Sequence, residues 1–332
     1  MDSKRPYKYR ALRHLFTIVC VMAVLSCTWV KDDTDNCPYG FWLQLRYNYN
    51  ILDVEAAPRY VHDAYIYIYD ADGKYVKRIY VTQDVLTAGN YRVQVEGLPE
   101  GDYQFVVWSG IGNSEYAISG DTQTIADFRL SLSGADSIRA SRLPELYYGR
   151  LDVVHYDDSY ALYDVELMKN TNQLACLVVS LSEATEVSVD DFSMKIVSAN
   201  ATLDAYNQLA AADVTTYEPF EKDVVTFDDP DYGELHGVKF SIMTLRLTNS
   251  RDCRIILEKK DTGQQLFNIS FPDYVGMIGS LYTNMGRPVS VQEYLDRQDF
   301  YTVVFYLSDD LSRLIQLQVN SWRLRAYNHL KL

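Results

Sequence analysis

The chain has 332 residues, enough for about two domains that each bury a hydrophobic core. Hydrophobic residues make up 48% and charged residues 23%, which excludes a largely disordered chain and a polytopic membrane protein. The formal net charge of -14 argues against nucleic acid as a partner, because phosphate binding requires a clustered basic surface. The 28 tyrosines beside 5 histidines favour half-buried strands over a histidine-rich catalytic or metal site.

Residues 1–26 have the pattern of a secretory signal peptide. Basic residues precede an apolar run from Leu15 to Leu25, which is shorter than the ~20 residues that span a bilayer. The run ends in Leu25-Ser26-Cys27, which resembles the lipobox of bacterial lipoproteins. We therefore predict that Cys27 is lipidated. A lipoprotein cysteine carries more than one acyl chain, which stable anchoring requires. The alternative is an ordinary signal peptide with an incidental cysteine.

A polar tether, residues 27–36, follows the signal peptide. Its Lys31, Asp32 and Asp33 resemble the surface-export signal of Bacteroidetes lipoproteins, although a solvated leash has the same composition. Export would place the protein on the outer face of the outer membrane.

Three cysteines remain beyond the tether, at positions 37, 176 and 253. An odd number permits at most one disulfide and leaves a free thiol, and the sequence does not say whether Cys37 pairs. No CxxC pair is present, so a zinc site is not expected.

Alternation of apolar and polar residues predicts β-strands from residue 41 onward. The first strand is 41–47, and the next two form a hairpin over 61–81. The turn of this hairpin, 70–74, contains Gly73 where positive φ is favoured. Its Asp-x-Asp-Gly order resembles a calcium loop but lacks the downstream glutamate, so a plain turn is the preferred interpretation.

Three tyrosines alternate along the first arm of the hairpin, at positions 65, 67 and 69. Side chains at alternate positions share one face of a strand. The stripe would serve either as a sugar-stacking platform or, as is commoner, as sheet surface or packing between domains.

The remaining alternation predicts an all-β fold. Further strands are predicted at 91–96, 104–108, 128–132, 146–154, 163–169, 174–181, 192–197, 238–247, 254–259, 265–271, 301–307 and 314–324, with a short helix over 291–297. Roughly seven strands per half with frequent turns indicate two β-sandwich domains. We place them at 37–160 and 161–332, divided in a polar stretch.

Five segments together resemble the FimB-type anchor subunits of Bacteroidales type V fimbriae. Their order and spacing carry the resemblance, which covers nearly all of the mature chain. They are Cys27 with the acidic tether and Cys37-Pro38-Tyr39-Gly40, the tyrosine-rich hairpin with 97–103 and Trp108, the segment 167–173, the segment 294–301, and the segment 319–325.

The resemblance implies two transthyretin-like domains, a lipid anchor in the outer membrane, and fimbrial shaft subunits as partners. It also implies that the first strand stays in its own sandwich, whereas shaft subunits lose theirs and accept a neighbour's strand. In such contacts main-chain hydrogen bonds give affinity and alternate side chains give register. The strand 314–327 is then a candidate for subunit contact through Leu314, Leu317, Val319 and Trp322; the alternative is an ordinary strand without a partner.

No motif for catalysis accompanies this pattern. The histidines have no zinc spacing, and the sequence lacks a GxSxG elbow, a P-loop and a GxGxxG motif. The acidic run 228–234 is interpreted as a solvated loop in preference to a calcium site. We predict no catalytic residue, metal, cofactor or small-molecule substrate. The predicted function is a structural lipoprotein that anchors a fimbrium; a glycan-binding surface lipoprotein that uses Tyr and Trp platforms is the alternative.

Overall fold

The computed structural model describes residues 40–134, 137–182, 185–210, 214–279, 283–284, 287–320 and 322–325. The predicted signal peptide and tether lie outside these residues, and so do Cys27, Lys31, Asp32, Asp33 and Cys37. Residues 326–332 lie outside them as well. No helix within the described part of the chain is both long and apolar enough to cross a bilayer.

The described chain consists mainly of β-strands, so the all-β prediction is confirmed. The strands are β1 (Phe41–Arg46), β2 (Asp63–Asp70), β3 (Tyr75–Thr82), β4 (Arg92–Val95), β5 (Gly101–Ser109), β6 (Tyr116–Ser119), β7 (Arg129–Leu132), β8 (Ile138–Arg139), β9 (Tyr147–Tyr156), β10 (Ala161–Lys169), β11 (Thr171–Ser180), β12 (Phe192–Ser198), β13 (Thr202–Asp204), β14 (Thr215–Tyr217), β15 (Glu221–Asp229), β16 (Gly233–Leu245), β17 (Cys253–Lys259), β18 (Gln265–Ser270), β19 (Thr283–Asn284), β20 (Arg287–Pro288), β21 (Phe300–Leu307), β22 (Leu314–Val319) and β23 (Trp322–Arg325). The helices are α1 (Ala57–Tyr60), α2 (Gln83–Ala88), α3 (Phe271–Gly279) and α4 (Val291–Arg297).

A seven-stranded sheet of order β3-β2-β5-β9-β10-β1-β4 contains the first strand. β1 pairs in parallel with β10 on one side and antiparallel with β4 on the other. β1 is thus an integral strand of this sheet, and its retention in the mature subunit stays a prediction.

This sheet folds back on itself to enclose a core. β9 and β10 pair only between residues 147–149 and 167–169 before they diverge. β1 and β5 are three positions apart in the strand order, so in a flat sheet they would lie roughly 14 Å apart. The rings of Phe41 on β1 and Phe105 on β5 nevertheless stack with centroids 5.0 Å apart. The two arms of the sheet thus form the layers of a sandwich.

Two further sheets, built mainly from the second half of the chain, face each other. One has the order β15-β16-β11-β21-β22-β23 and the other the order β18-β17-β12-β14-β8. Phe267 and Phe305, one from each sheet, meet edge to face at 5.1 Å in the core between them. β11 repeats the arrangement of β1, because it too begins its half and pairs in parallel with a late strand, β21.

The two halves share a hydrophobic core. One buried cluster includes Trp108 and Phe128 together with Cys176 and Phe305. Short strands also cross between the halves, since β8 pairs with β14 and β13 pairs with β7. The described residues from Phe41 onward accordingly form a single unit.

The domain limits 37–160 and 161–332 stay a prediction. In the sheets, β10 belongs with β1, although it follows residue 160. The chain changes sheet at Asn170, whose fully buried amide pairs with the amide of Asn207 at 2.6 Å. A division at Asn170 follows the strand pairing more closely than one at residue 160.

The expectation of one continuous strand over 314–324 is wrong. The segment forms a hairpin, because β22 pairs antiparallel with β23. The turn begins at Asn320, whose φ of 53° ends the extended conformation. The side-chain oxygen of Asn320 accepts a hydrogen bond from the backbone N–H of Thr302 at 2.9 Å, which fixes the turn against β21.

Candidate assembly surfaces

The four predicted contact residues lie on the β22–β23 hairpin. β22 is hydrogen-bonded on both sides, to β21 and to β23. Leu317 and Val319 are 5% and 2% exposed, and half-buried Leu314 packs against the same core. A partner strand would therefore reach the backbone of β22 only by displacing β23, the edge strand that Trp322 begins. Subunit contact at these residues stays a prediction.

The opposite end of the same sheet is a longer edge, β15. Its nine residues pair with β16, and within the described residues the backbone of 221–228 has no partner on the other side of the strand. Its centre, 224–227, carries no charge, whereas Glu221 and Asp228 stand toward its ends. Val224 is 75% exposed. An unpaired, regular edge of this length is a template for a further strand.

The acidic run 228–234 comprises the end of β15, the turn 230–232 and the start of β16. Asp229 is buried, and one of its oxygens accepts hydrogen bonds from the backbone N–H groups of Asp231 and Tyr232 at 2.9 and 3.1 Å. The other oxygen accepts a hydrogen bond from the Tyr306 hydroxyl at 2.7 Å. The carboxylate thus shapes a turn. Within the described residues, no group of three or more His, Cys, Asp or Glu side chains is placed to hold a metal ion.

Two of the three tyrosines in the stripe on β2 are packed inside the protein. Tyr67 and Tyr69 are 1% and 0% exposed, and Tyr67 meets Phe128 edge to face at 5.1 Å. The Tyr69 hydroxyl donates to the backbone oxygen of Asp121 at 2.9 Å. Burial raises the pKa of Tyr67 to about 12. Tyr67 and Tyr69 therefore pack in a core and are not accessible to a sugar, whereas Tyr65 is half-buried and its ring lies 4.6 Å from that of Tyr80.

A cluster of charged side chains joins β10 to the segment before β21. The Lys169 ammonium lies 3.0 Å from Glu145 and 2.9 Å from Asp299. Burial alone would lower the pKa of Lys169, but these two carboxylates raise it above its ordinary value. Burial alone would raise the pKa of Glu145, but the Tyr147 hydroxyl and Lys169 lower it.

A second set of polar contacts fixes helix α4 against the loop after β1. Arg297 is 8% exposed, and its guanidinium lies 2.6 Å from a carboxylate oxygen of Asp53 and 3.0 Å from Glu293. The same guanidinium lies 4.1 Å from the centre of the Tyr49 ring. Glu293 is one helical turn from Arg297, but Asp53 is 244 positions away, so no local pattern predicts that this arginine joins the helix to the loop.

Both described cysteines, Cys176 and Cys253, are free and buried. Burial raises the pKa of the Cys176 thiol, and it raises that of the Cys253 thiol to about 12. The two cysteines are thus not bonded to each other. Because their pKa values are raised, both thiols are expected to be inert near neutral pH.

Comparison with known proteins identifies the family. Residues 34–328 match the model of the Mfa2 family, the fimbrillin-A associated anchor proteins Mfa1 and Mfa2. No curated protein matches the chain.

Solved structures share the fold over nearly their whole length. A candidate polysaccharide-binding protein from Bacteroides thetaiotaomicron is 27% identical, with a TM-score of 0.74, over 88% of this chain and 99% of its own. A candidate adhesin from the same organism is 25% identical, with a TM-score of 0.76, over 87% and 98%. The fimbrial anchor protein Mfa2 from Porphyromonas gingivalis is 18% identical, with a TM-score of 0.63, over 88% and 100%. The predicted resemblance is confirmed, and the chain belongs to the Mfa2 family of fimbrial anchor proteins.

Proposed function

We propose that this protein anchors a fimbrium to the outer membrane as a non-enzymatic structural subunit. Membership of the Mfa2 family supports a fimbrium-associated role at the cell surface. The observation that carries the proposal is the position of β1, which is paired on both sides by strands of its own chain. A sheet completed in this way has no vacancy for a neighbour's strand, so the subunit can begin or end a polymer.

Two parts of the proposal rest on the sequence. Lipidation of Cys27 would hold the mature chain in the membrane, and Lys31, Asp32 and Asp33 would direct it to the cell surface. All four residues precede the segment 34–328 that matches the family. The membrane attachment would thus lie outside the folded part that contacts other subunits.

Fimbrial shaft subunits would bind at the ends of the six-stranded sheet. β15 and β23 are its two edges, and a strand added to either would gain main-chain hydrogen bonds. Leu317 and Val319 would support β23 from the core without touching the partner themselves. Burial of Tyr67 and Tyr69 leaves only the half-buried Tyr65 of the stripe, so the stripe offers no continuous platform for stacking a glycan.

The proposal is tested by purifying the tagged protein from its native membranes and identifying the co-purified proteins by mass spectrometry. We expect fimbrial subunits in stoichiometric amounts from the wild type. A Cys27→Ala variant should leave the membrane fraction, because it would lack the acyl chains that anchor it. It should remain folded, because those chains would lie outside the cores. A partnerless wild-type protein would contradict the fimbrial role, and a membrane-bound Cys27→Ala variant would contradict the lipid anchor.

A further inference from the structure

The loop 47–56 connects β1 to the rest of the folded chain. β1 ends at Arg46 and is held in its sheet by pairing with β10 and β4. Cys27, the predicted lipidation site, precedes β1, so the loop is the covalent link between this cysteine and everything after the loop. If the loop were cut, β1 and Cys27 would stay with the protein only through non-covalent contacts.

The loop has the composition and exposure of a protease substrate. Leu52 is 74% exposed and Val54 is 51% exposed. Exposed loops are the preferred sites of proteolytic nicking, but a protease must first draw the segment locally out of its folded conformation. The rate of cleavage therefore depends on how firmly the loop is held closed.

Side chains of the loop itself close it from within. The amide nitrogen of Asn50 donates to the backbone oxygens of Tyr47 and Val54, at 3.0 and 2.8 Å. The amide oxygen of Asn50 accepts from the backbone N–H of Leu52 at 3.1 Å. The Glu55 carboxylate accepts from the backbone N–H of Tyr47 at 2.9 Å. These contacts fix the shape of the loop but do not attach it to the second half of the chain.

Arg297, the last residue of α4, supplies that attachment. Its guanidinium is buried, lies 2.6 Å from a carboxylate oxygen of Asp53, and donates to the backbone oxygen of Asn50 at 3.2 Å. It also lies 4.1 Å from the centre of the Tyr49 ring. Asp53 has a φ of 51°, in the left-handed region, so it must leave this conformation before the loop becomes extended. One cation thus contacts three positions of the loop.

The helix that carries Arg297 is itself fixed in place. Ser290 caps the start of α4, because its side chain accepts from the backbone N–H of Glu293 at 3.0 Å. Asp296 lies 2.9 Å from the guanidinium of Arg246, and the two side chains are 8% and 12% exposed. Glu293 lies 3.0 Å from the Arg297 guanidinium. The loop is therefore held by a group that cannot easily follow it outward.

We propose that Arg297 is a latch that keeps the loop 47–56 closed and resistant to proteolysis, so that β1 and Cys27 stay covalently attached to the folded chain. Without the latch, the loop opens locally while the cores on either side remain folded. The inference rests on the proposed function only for the role of Cys27 as the membrane anchor. The resistance of the loop is a property of the folded chain alone.

The test is limited proteolysis of the purified full chain by thermolysin under native conditions. Thermolysin cuts before large aliphatic side chains, and Ile51, Leu52 and Val54 supply three such sites in the loop. Mass spectrometry identifies the fragments, and their accumulation gives the rate of cleavage within 47–56. We expect Arg297→Gln to be cut there about tenfold faster than the wild type or more, because a nearly buried ion pair is lost.

Two further variants keep the test decisive. Lys195→Met is the matched control, because it removes a partly buried ion pair to Glu258 at 3.0 Å, between β12 and β17. It should leave the rate of cleavage in the loop unchanged. Asp53→Asn keeps a residue type that tolerates the left-handed conformation and removes only the charge. It should raise the rate about threefold, and it decides the matter if Arg297→Gln does not fold.

Other outcomes overturn the proposal. Equal rates of loop cleavage in the wild type, Arg297→Gln and Asp53→Asn would show that the loop stays closed without Arg297. An equal increase in Lys195→Met would assign the cleavage to a general loss of stability. None of these outcomes alters whether fimbrial subunits co-purify with the protein or whether Cys27→Ala leaves the membrane. Failure here and failure of the proposed function are therefore separate results.

Discussion

The Lys169 ammonium lies 2.9 Å from the carboxylate of Asp299, and this ion pair connects the end of β10 to the residue before β21. The backbone oxygen of Asp299 also accepts a hydrogen bond from the backbone N–H of Gln173 at 2.9 Å. Lys169 and Gln173 belong to one of the five segments that carry the family resemblance, and Asp299 belongs to another. The two segments therefore meet at the junction between the halves.

Replacing Lys169 by Met should destabilise the protein by about 1–3 kcal/mol. Breaking a fully buried ion pair costs about 3–5 kcal/mol, but Glu145 and Asp299 are 44% and 32% exposed, so water compensates part of the loss. Guanidinium unfolding at neutral pH measures the change. Lys260→Met serves as the control, because Lys260 is 42% exposed and its pair with Asp190 spans 3.8 Å. Equal effects of the two variants would contradict a special role for Lys169.

The pKa shifts of Glu145 and Lys169 predict that the protein loses stability toward both ends of the pH range. Glu145 has a lowered pKa in the folded protein. Its contribution to the free energy of unfolding is therefore complete above pH 4.5, its ordinary pKa, and disappears as the pH falls through the folded pKa. Lys169 has a raised pKa in the folded protein. Its contribution to the free energy of unfolding is therefore complete below pH 10.5, its ordinary pKa, and disappears as the pH rises through the folded pKa. The difference in unfolding free energy between wild type and Lys169→Met should therefore be largest at about pH 5–10 and shrink by about pH 3. A difference that stays constant down to pH 3 would show that Glu145 does not contribute.

Alternation located most strands correctly, because it depends only on which side of a strand meets the core. The hairpin over 61–81 is an example, since its turn contains Gly73 with a φ of 78°. Alternation does not report whether the second face is also covered. On β2, Ile66 and Ile68 lie in one core and Tyr67 and Tyr69 in another, so two of the three tyrosines that suggested a half-exposed sheet are buried.

The parts that sequence reasoning missed depend on contacts between distant segments. No local signal shows that β10 pairs with β1, or that β22 is covered by β23. The turn at Asn320 contains no glycine, and its conformation is stabilised by Thr302, far back in the chain. The conformation of the loop after β1 was missed for the same reason, because its Asp53 is held by the distant Arg297.

Two glycines with positive φ should differ in their tolerance of alanine. A Cβ at Gly110, where φ is 85°, would lie 1.9 Å from the backbone oxygen of Glu145, which cannot move without shifting the chain. A Cβ at Gly233, where φ is 75°, would meet nothing within 4 Å. Gly233→Ala should cost only the left-handed backbone conformation, about 1–2 kcal/mol. Gly110→Ala should cost more than about 3 kcal/mol or prevent folding. Thermal unfolding compares them, and equal losses would contradict the close approach at Gly110.

The exposed edge of β15 gives the sharpest test of how a fimbrial subunit would bind. If a partner strand adds to this edge, Val224→Lys should reduce the amount of co-purified fimbrial subunit about tenfold, because a lysine in the middle of an edge would be buried against the added strand. Val85→Lys is the matched control, since Val85 is also an exposed valine but lies on helix α2. Both variants should keep the wild-type melting temperature, because each replaces a side chain that is more than half exposed. Retention of the subunit by Val224→Lys would exclude strand addition at β15 and leave β23 as the edge available at the other end of the sheet.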